Sequence, residues 1–288
     1  MIRFEKLNKR FRRTTVLSDL DLEILRGDRV ALVGSNGAGK TTLIRCLLGE
    51  YLYDGKVEVD GLDPRQHRGT ILPHIGFVPQ LPPPLKMPVG QLLDFSASVC
   101  NTDVNRMLDV AKRLGLDPAE LKHRPFVKLS GGQKQKLLIS IALGRDTDLL
   151  IMDEPAANLD PEARHIFFKL LAERQDDSVM LISSHRLDEV AALVNRVVEM
   201  DQGKVVLDDR VADRVDLNSQ LHCTLRLVRH EEAFDKAITQ WGFQSNDEGI
   251  TWQGMVAGPD RLRFLGVLSR YAGLLAGVRL DEEHDHAA

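Results

Sequence analysis

The chain has 288 residues, 43% of them hydrophobic and 28% charged, with Lys plus Arg at 38 against Asp plus Glu at 42 and a net charge of −4. This is ordinary globular composition with room for about two domains, and it lacks the basic excess of a dedicated nucleic-acid binder. No run of 18 apolar residues is present to span a bilayer. Cys46, Cys100 and Cys223 have no C-x-x-C spacing, which argues against a disulfide framework or structural zinc and for a reduced, cytoplasmic protein. The basic start (Arg3, Lys6, Lys9, Arg10, Arg12, Arg13) is not followed by the apolar stretch of a targeting peptide.

In chain order, the patterning predicts strands over 2–4, 16–25 and 29–33, with Gly27-Asp28 as the turn between the last two. A helix over 40–49 ends at Gly49, and strands follow over 56–59 and 75–78. Six of the twelve prolines fall between 73 and 88, which makes that stretch an extended connector. From 89 to 144 the pattern is helical, with Val104, Leu108, Ala111 and Leu114 as one stripe. Strands over 149–152, 179–183 and 197–200 then alternate with helices near 161–174 and 186–194, implying a mainly parallel sheet covered on both faces. A strand over 204–207 precedes a polar linker, 209–220. Strands over 221–228, 250–256 and 274–280, with helices over 231–241 and 261–271, make a small α+β unit spanning 221–281. The acidic tail 282–288 holds His284 and His286, which as two histidines in a frayed end are read as solvated rather than metal-binding.

Gly34-Ser35-Asn36-Gly37-Ala38-Gly39-Lys40-Thr41, with Thr42 after it, fits G-x-x-x-x-G-K-[ST] between a strand and a helix. Such a loop turns its N–H groups inward beside the positive end of a helix; Lys40 reaches β and γ phosphates and Thr41 offers its hydroxyl to Mg²⁺. Ser35-Asn36 separate the first two glycines, so the rival G-x-G-x-x-G dinucleotide motif is absent. The apolar strand at 149–152 runs into Asp153 and Glu154, two carboxylates facing the loop from a strand's carboxyl end. Asp153 is expected to hold Mg²⁺ and Glu154 to polarise the attacking water. Leu129-Ser130-Gly131-Gly132-Gln133 opens a helix and forms a second anion nest without a lysine.

With these three motifs, residues 1–208 resemble an ABC-type ATPase, the nucleotide-binding subunit of ABC transporters. The resemblance implies a P-loop α/β core with an inserted helical subdomain at about 89–144 and an N-terminal antiparallel strand region, followed here by the small C-terminal domain. It implies that Phe11, 29 residues before Lys40, stacks on adenine, with Phe4 as a competing aromatic. Gln80 matches a glutamine that senses Mg²⁺ and water, Asp160 the acid of the loop after the catalytic strand, and His185 a histidine on the γ phosphate. Asp160 precedes Pro161 and also reads as a helix N-cap. Ala156 and Ala157 depart from the polar residues usual there, which bears on hydrogen bonding across a dimer rather than on hydrolysis. Lys134 and Lys136 stand where arginines are frequent.

The implied cofactors are ATP and Mg²⁺. The implied partners are a second nucleotide-binding subunit, a homodimer being expected, whose ATP the 130–133 nest serves, and a permease encoded as a separate membrane chain. The protein would then lie peripherally on the cytoplasmic face of the membrane, with no nucleic-acid partner. The 221–281 unit resembles, at the level of pattern, the appendage of ATPases serving ABC-2 type exporters, which favours export over import. A soluble non-transport ABC ATPase is the competing class, disfavoured by the single phosphate loop and the lack of a long coiled-coil insertion. A pseudo-ATPase is disfavoured because every catalytic position is filled.

Overall fold

The computed structural model describes residues 1–174, 178–185, 187–210, 220–247, 249–257, 264, 267–268 and 271–282. The chain divides into two compact units, Met1–Val211 and Ala212–Ala288.

Ile2, Phe4 and Leu7 are fully buried on strand β1, Ile2–Phe11, which is longer than the 2–4 expected. A register shift between Phe4 and Leu7, with Lys6 at φ 45°, inserts one residue and changes the spacing of buried positions from two to three. Such a bulge breaks the alternation by which a strand is read. β1 pairs with β2 (Thr14–Ile24) on one side and β4 (Asp54–Val59) on the other, giving the antiparallel sheet β2-β1-β4.

The main sheet has the order β5-β6-β7-β3-β8-β9. Its parallel strands are β5 (Ile75–Val78), β6 (Leu149–Asp153), β7 (Val179–Ser184), β3 (Arg29–Val33) and β8 (Arg196–Asp201), with β9 (Lys204–Arg210) antiparallel at the edge. Leu149 and Ile151 face a core shared with β1, β2 and helix α1 (Lys40–Leu47), while Leu150 and Met152 face one built on Phe167. Burial on both faces explains the unbroken apolar run of β6. After the short helix α2 (Arg68–Ile71), the helical insertion comprises α3 (Val89–Val99), α4 (Val104–Arg113), α5 (Pro118–Leu121) and α6 (Gly131–Leu143) around Phe126, Met107 and Leu137. Of the expected stripe, Ala111 and Leu114 are buried and Val104 and Leu108 half-buried, and the buried Met107 joins the same face. Helix α7 (Pro161–Ala172) matches the expected span closely. The helix expected over 186–194 is one turn, α8 (Leu187–Val190), followed by a 3-10 turn over Ala191–Leu193; Arg186 is outside the described residues.

An ion cluster centred on the buried Asp28 and Arg196, with exposed Asp208 and Arg210 around them, ties the sheet's far edge. Arg196 donates to Asp28 Oδ2 at 2.7 Å, to Asp208 Oδ1 and Oδ2 at 2.7 Å each, and to the Glu23 carbonyl at 2.8 Å. Asp28 is 2% exposed and also takes Arg210 at 3.2 Å. The Arg196 guanidinium holds the Asp208 carboxyl below the usual carboxylate range.

In the second unit, β10 (Gln220–Leu227), β11 (Gln244–Asp247), β12 (Thr251–Ala257) and β13 (Leu275–Glu282) form the antiparallel sheet β11-β12-β10-β13. Helix α9 (Glu232–Thr239) links β10 to β11, the order of a split βαβ arrangement. The polar edge strand β11 is absent from the sequence reading because Gln244-Ser245-Asn246-Asp247 carries no apolar alternation. The helix expected over 261–271 lies mostly outside the described residues, although Phe264 and Leu268 are helical and buried. Phe264 stacks on Phe243 at 5.1 Å, closing this core with Phe234 and Trp252. Of the expected linker, 211–219 is outside the described residues, as are tail residues 283–288 with His284 and His286.

All three cysteines are free. Burial pushes the Cys46 and Cys223 thiols up to about 11, while Cys100 is partly exposed. A thiol this basic is almost wholly protonated and unreactive at pH 8. Ellman titration of the native protein at that pH therefore yields one thiol, and the denatured protein three; three from the native protein would refute this burial.

Candidate functional site

Four neighbouring parallel strands each deliver one part of the site at their carboxyl ends. β5 leads to Gln80, β6 to Asp153 and Glu154, β7 to His185, and β3 to the loop that begins at Gly34. Ligands in such sheets bind beyond this edge.

The loop is built by backbone geometry. Gly34 has φ 146°, and a Cβ there would lie 2.3 Å from the Met200 carbonyl oxygen. Gly39, the N-cap of α1 at φ 109°, would bring a Cβ within 2.9 Å of Leu17. Only glycine fits either place. Lys40 is 7% exposed and its Nζ donates to the carbonyls of Gly34 at 2.6 Å and Ser35 at 3.2 Å. Among the described residues no carboxylate pairs with it. A buried ammonium met only by carbonyls is electrostatically incomplete, and an anionic group in the loop, beside the positive end of α1, completes it.

Over this loop lies a cleft of about 280 Å³, lined by Val16, residues 36–42, Gln80, Asp153 and Glu154. It therefore brings together Asn36, Gly37, Ala38, Gly39, Lys40, Thr41, Thr42, Gln80, Asp153 and Glu154 of the expected set; Ser35 lies just outside, contributing its carbonyl to Lys40. Asp153 is buried and its Oδ1 accepts from Ser183 Oγ at 2.6 Å. The same Ser183 Oγ accepts from the Glu154 N–H at 3.0 Å. Ser183 thus orients both acids, a role missed by sequence reading; its signal is the Ser183-Ser184 pair closing an otherwise apolar strand. Thr41, Gln80 and Asp153 all line the cleft, and their side-chain oxygens are the hard donors that suit Mg²⁺.

Glu154 sits at φ 49°, a left-handed conformation costing a non-glycine residue about 1 kcal/mol. Its Oε2 accepts from His185 Nδ1 at 2.8 Å. A carboxylate only accepts, so Nδ1 carries the proton and the other ring nitrogen is left for a further partner. A second cavity, about 200 Å³, lies behind this pair and is lined in part by Ala156, Ala157 and Phe168.

The remaining expected residues lie apart from the cleft. Ser130 and Gln133 form a reciprocal capping box: Ser130 Oγ accepts from the Gln133 N–H at 3.2 Å and Gln133 Oε1 from the Ser130 N–H at 3.1 Å. Ser130 Oγ acts as an acceptor in this box, so its hydroxyl proton, like the Gly131 and Gly132 amides at the open helix end, is still a donor. Asp160 caps α7 through Ala163 N–H at 2.8 Å and holds Lys136 Nζ at 2.9 Å, which lowers its carboxyl below the usual range. Phe11 does not line the cleft; it is 40% exposed, edge-on to Tyr51 at 5.2 Å, with Lys9 Nζ 4.5 Å from its ring centre. Phe4 is buried core, which removes it as a competing stacking residue.

A P-loop cradle, a paired-acid strand end and a glycine-opened helix on this sheet define a P-loop ATPase of the ABC type. The ABC transporter family model matches residues 17–157. The chain is 31% identical over 242 residues to a Nod factor export ATP-binding protein I of Cupriavidus pinatubonensis, covering 81% of this chain and 72% of that one. It is also 31% identical to the glutamine transport ATP-binding protein of Escherichia coli, covering 72% of this chain and 90% of that one. A solved ATP-binding subunit of an ABC transporter shares the fold at a TM-score of 0.67 and 24% identity, over 73% of this chain and 90% of that one. The chain belongs to the ATP-binding proteins of the ABC transporter family. It is an ATPase that takes ATP with Mg²⁺. No helix among the described residues is long and apolar enough to cross a membrane.

Proposed function

We propose that the chain is the ATP-hydrolysing subunit of a membrane exporter of the ABC-2 type, with residues 1–208 as the nucleotide-binding domain and 221–281 as an appended regulatory or dimer-contact domain. The observation that carries the reading is that Lys40, Gln80, Asp153 and Glu154, the last hydrogen-bonded to His185, line one cleft while the 130–133 motif stands outside it. A nest that its own cleft does not use is available to the nucleotide of a second copy. Head-to-tail pairing of two chains then encloses two ATP molecules.

In this reading, the N–H groups of residues 36–39 and the Lys40 ammonium hold the β and γ phosphates of substrate ATP, and the hydroxyls of Thr41 and Thr42 close the loop's mouth. Thr41, Asp153 and Gln80 would hold Mg²⁺, which when bound neutralises charge on the phosphate oxygens. Glu154 accepts a proton from the attacking water, and His185 fixes the Glu154 carboxylate through its Nδ1–H; with a proton on its outer nitrogen as well, it also donates to the γ phosphate. Phe11 meets the adenine after exchanging part of its contact with Lys9 and Tyr51. Loss of the γ phosphate loosens the pair, a ligand-driven two-state element.

The permease is a separate chain in this proposal, which puts the protein on the cytoplasmic face of the membrane. Leu81, next to Gln80, and Phe95 and Val99, on α3, are 74%, 57% and 58% exposed, apolar area suited to a permease segment. Export is favoured by the Nod factor export relatives and the C-terminal unit; import is the second reading, favoured by the glutamine transport relative. The test is affinity capture of full-length Glu154→Gln protein with Mg-ATP from detergent-solubilised membranes. A polytopic membrane protein in stoichiometric amount is expected. Soluble partners alone would move the chain to the non-transport ABC ATPases. The direction of solute movement in vesicles holding the captured pair separates export from import.

A further inference from the structure

Helix α6 touches the loop that follows Glu154 at three successive points. Gln135 Nε2 donates to the Pro155 carbonyl at 2.9 Å, Gly132 lies against the Asn158 carbonyl, where an added Cβ would approach to 3.2 Å, and Lys136 Nζ pairs with Asp160 at 2.9 Å. The first contact is the closest to the chemistry, because Pro155 is bonded directly to Glu154. Gln135 is 1% exposed, and its Oε1 is buried with no hydrogen-bond partner among the described residues. A buried acceptor without a partner is a cost that packing alone would avoid by placing leucine or methionine there. The amide is therefore not explained by filling space.

We propose that Gln135 is a positioning residue for Glu154: by fixing the Pro155 carbonyl it holds the peptide between Pro155 and Ala156 and, through the proline ring with its restricted φ, the adjoining φ 49° backbone that aims the Glu154 carboxylate at the cleft. This rests on the ATPase site proposed above. Because Gln135 lies two residues after Gln133 on the helix opened by the Ser130 capping box, displacement of that helix end shifts the Pro155 carbonyl through a single hydrogen bond. An anion bound by the Gly131 and Gly132 amides thus acts on the aim of Glu154 in the same chain. Rigid placement matters at this scale, since a 1 Å error in a reacting group costs on the order of 10²-fold in rate.

Two variants of the full chain test it. Gln135→Met removes the donor and the orphaned acceptor at nearly constant volume, and Gln135→Glu keeps the shape but sets an acceptor against the Pro155 carbonyl. Expected for both is a fall in kcat of about 10- to 100-fold with KM for ATP within about twofold, and for Gln135→Met an unchanged Tm. A wild-type kcat in Gln135→Met overturns the proposal, as does a loss of rate matched by a rise in KM and a fall in Tm, the mark of a merely structural role. Wild-type protein without ATP turnover, or Lys40→Ala protein that keeps it, overturns the nucleotide-site reading itself and this inference with it.

Discussion

Glu154→Gln lowers kcat for ATP hydrolysis by about 10²- to 10⁴-fold, the range for loss of a positioned general base, while ATP still binds. The amide keeps the volume of the carboxylate and removes its capacity to take a proton. The phosphate cradle is left in place, since among the described residues the Lys40 ammonium donates to the Gly34 and Ser35 carbonyls and not to Glu154. With hydrolysis stopped and the γ phosphate retained, the enclosed state accumulates. Size-exclusion chromatography in saturating Mg-ATP is expected to give twice the monomer mass for this variant, with the permease present where it is needed for assembly. A species that stays monomeric even then would sink the paired-subunit mechanism. Retained wild-type turnover would instead show that another group takes the proton.

Asp28→Ala is expected to cost about 3–5 kcal/mol, the loss when one partner of a buried ion pair is deleted. Asp28 Oδ2 accepts from Arg196 at 2.7 Å and from the Leu25 N–H at 2.9 Å, so its removal leaves a buried guanidinium short of one acceptor and a turn uncapped. For a unit of this size each kcal/mol lowers Tm by about 2–4 °C, which predicts a fall of about 10 °C in the transition of the first unit by calorimetry. The double variant Asp28→Leu, Arg196→Met should recover much of it, because apolar groups of similar volume substitute for buried pairs at little cost. A single-variant Tm equal to wild type would mean that the cluster contributes no stability.

Much of the site was legible in the sequence because it is local. The run from Gly34 to Thr41 encodes its own geometry: glycine at 34 and 39 is dictated by φ and by the closeness of Met200 and Leu17. The strand of 149–152 announces the acids after it, since an apolar run ending in two charges has one place in a covered sheet. The alternation of strands and helices after 144 specified a parallel sheet for the same reason. Features that break a period were less legible. The bulge at Lys6 hid most of β1, the polar edge strand β11 carried no pattern, and the α4 stripe caught the buried Ala111 and Leu114 but not Met107 on the same face.

Short-range spacing encodes the available chemistry: which residues can cradle a phosphate, hold a cation or take a proton. Which of them meet is set by long-range packing. The strand order β5-β6-β7-β3 brings Gln80, Glu154, His185 and Lys40 to one edge from positions up to 145 residues apart. It also leaves Ser130 and Gln133 bonded to each other outside the cleft, turns Phe11 toward Tyr51, and lays Gln135 on Pro155. These are long-range contacts set by sheet order and by the seating of the helical insertion, and no local pattern encodes them.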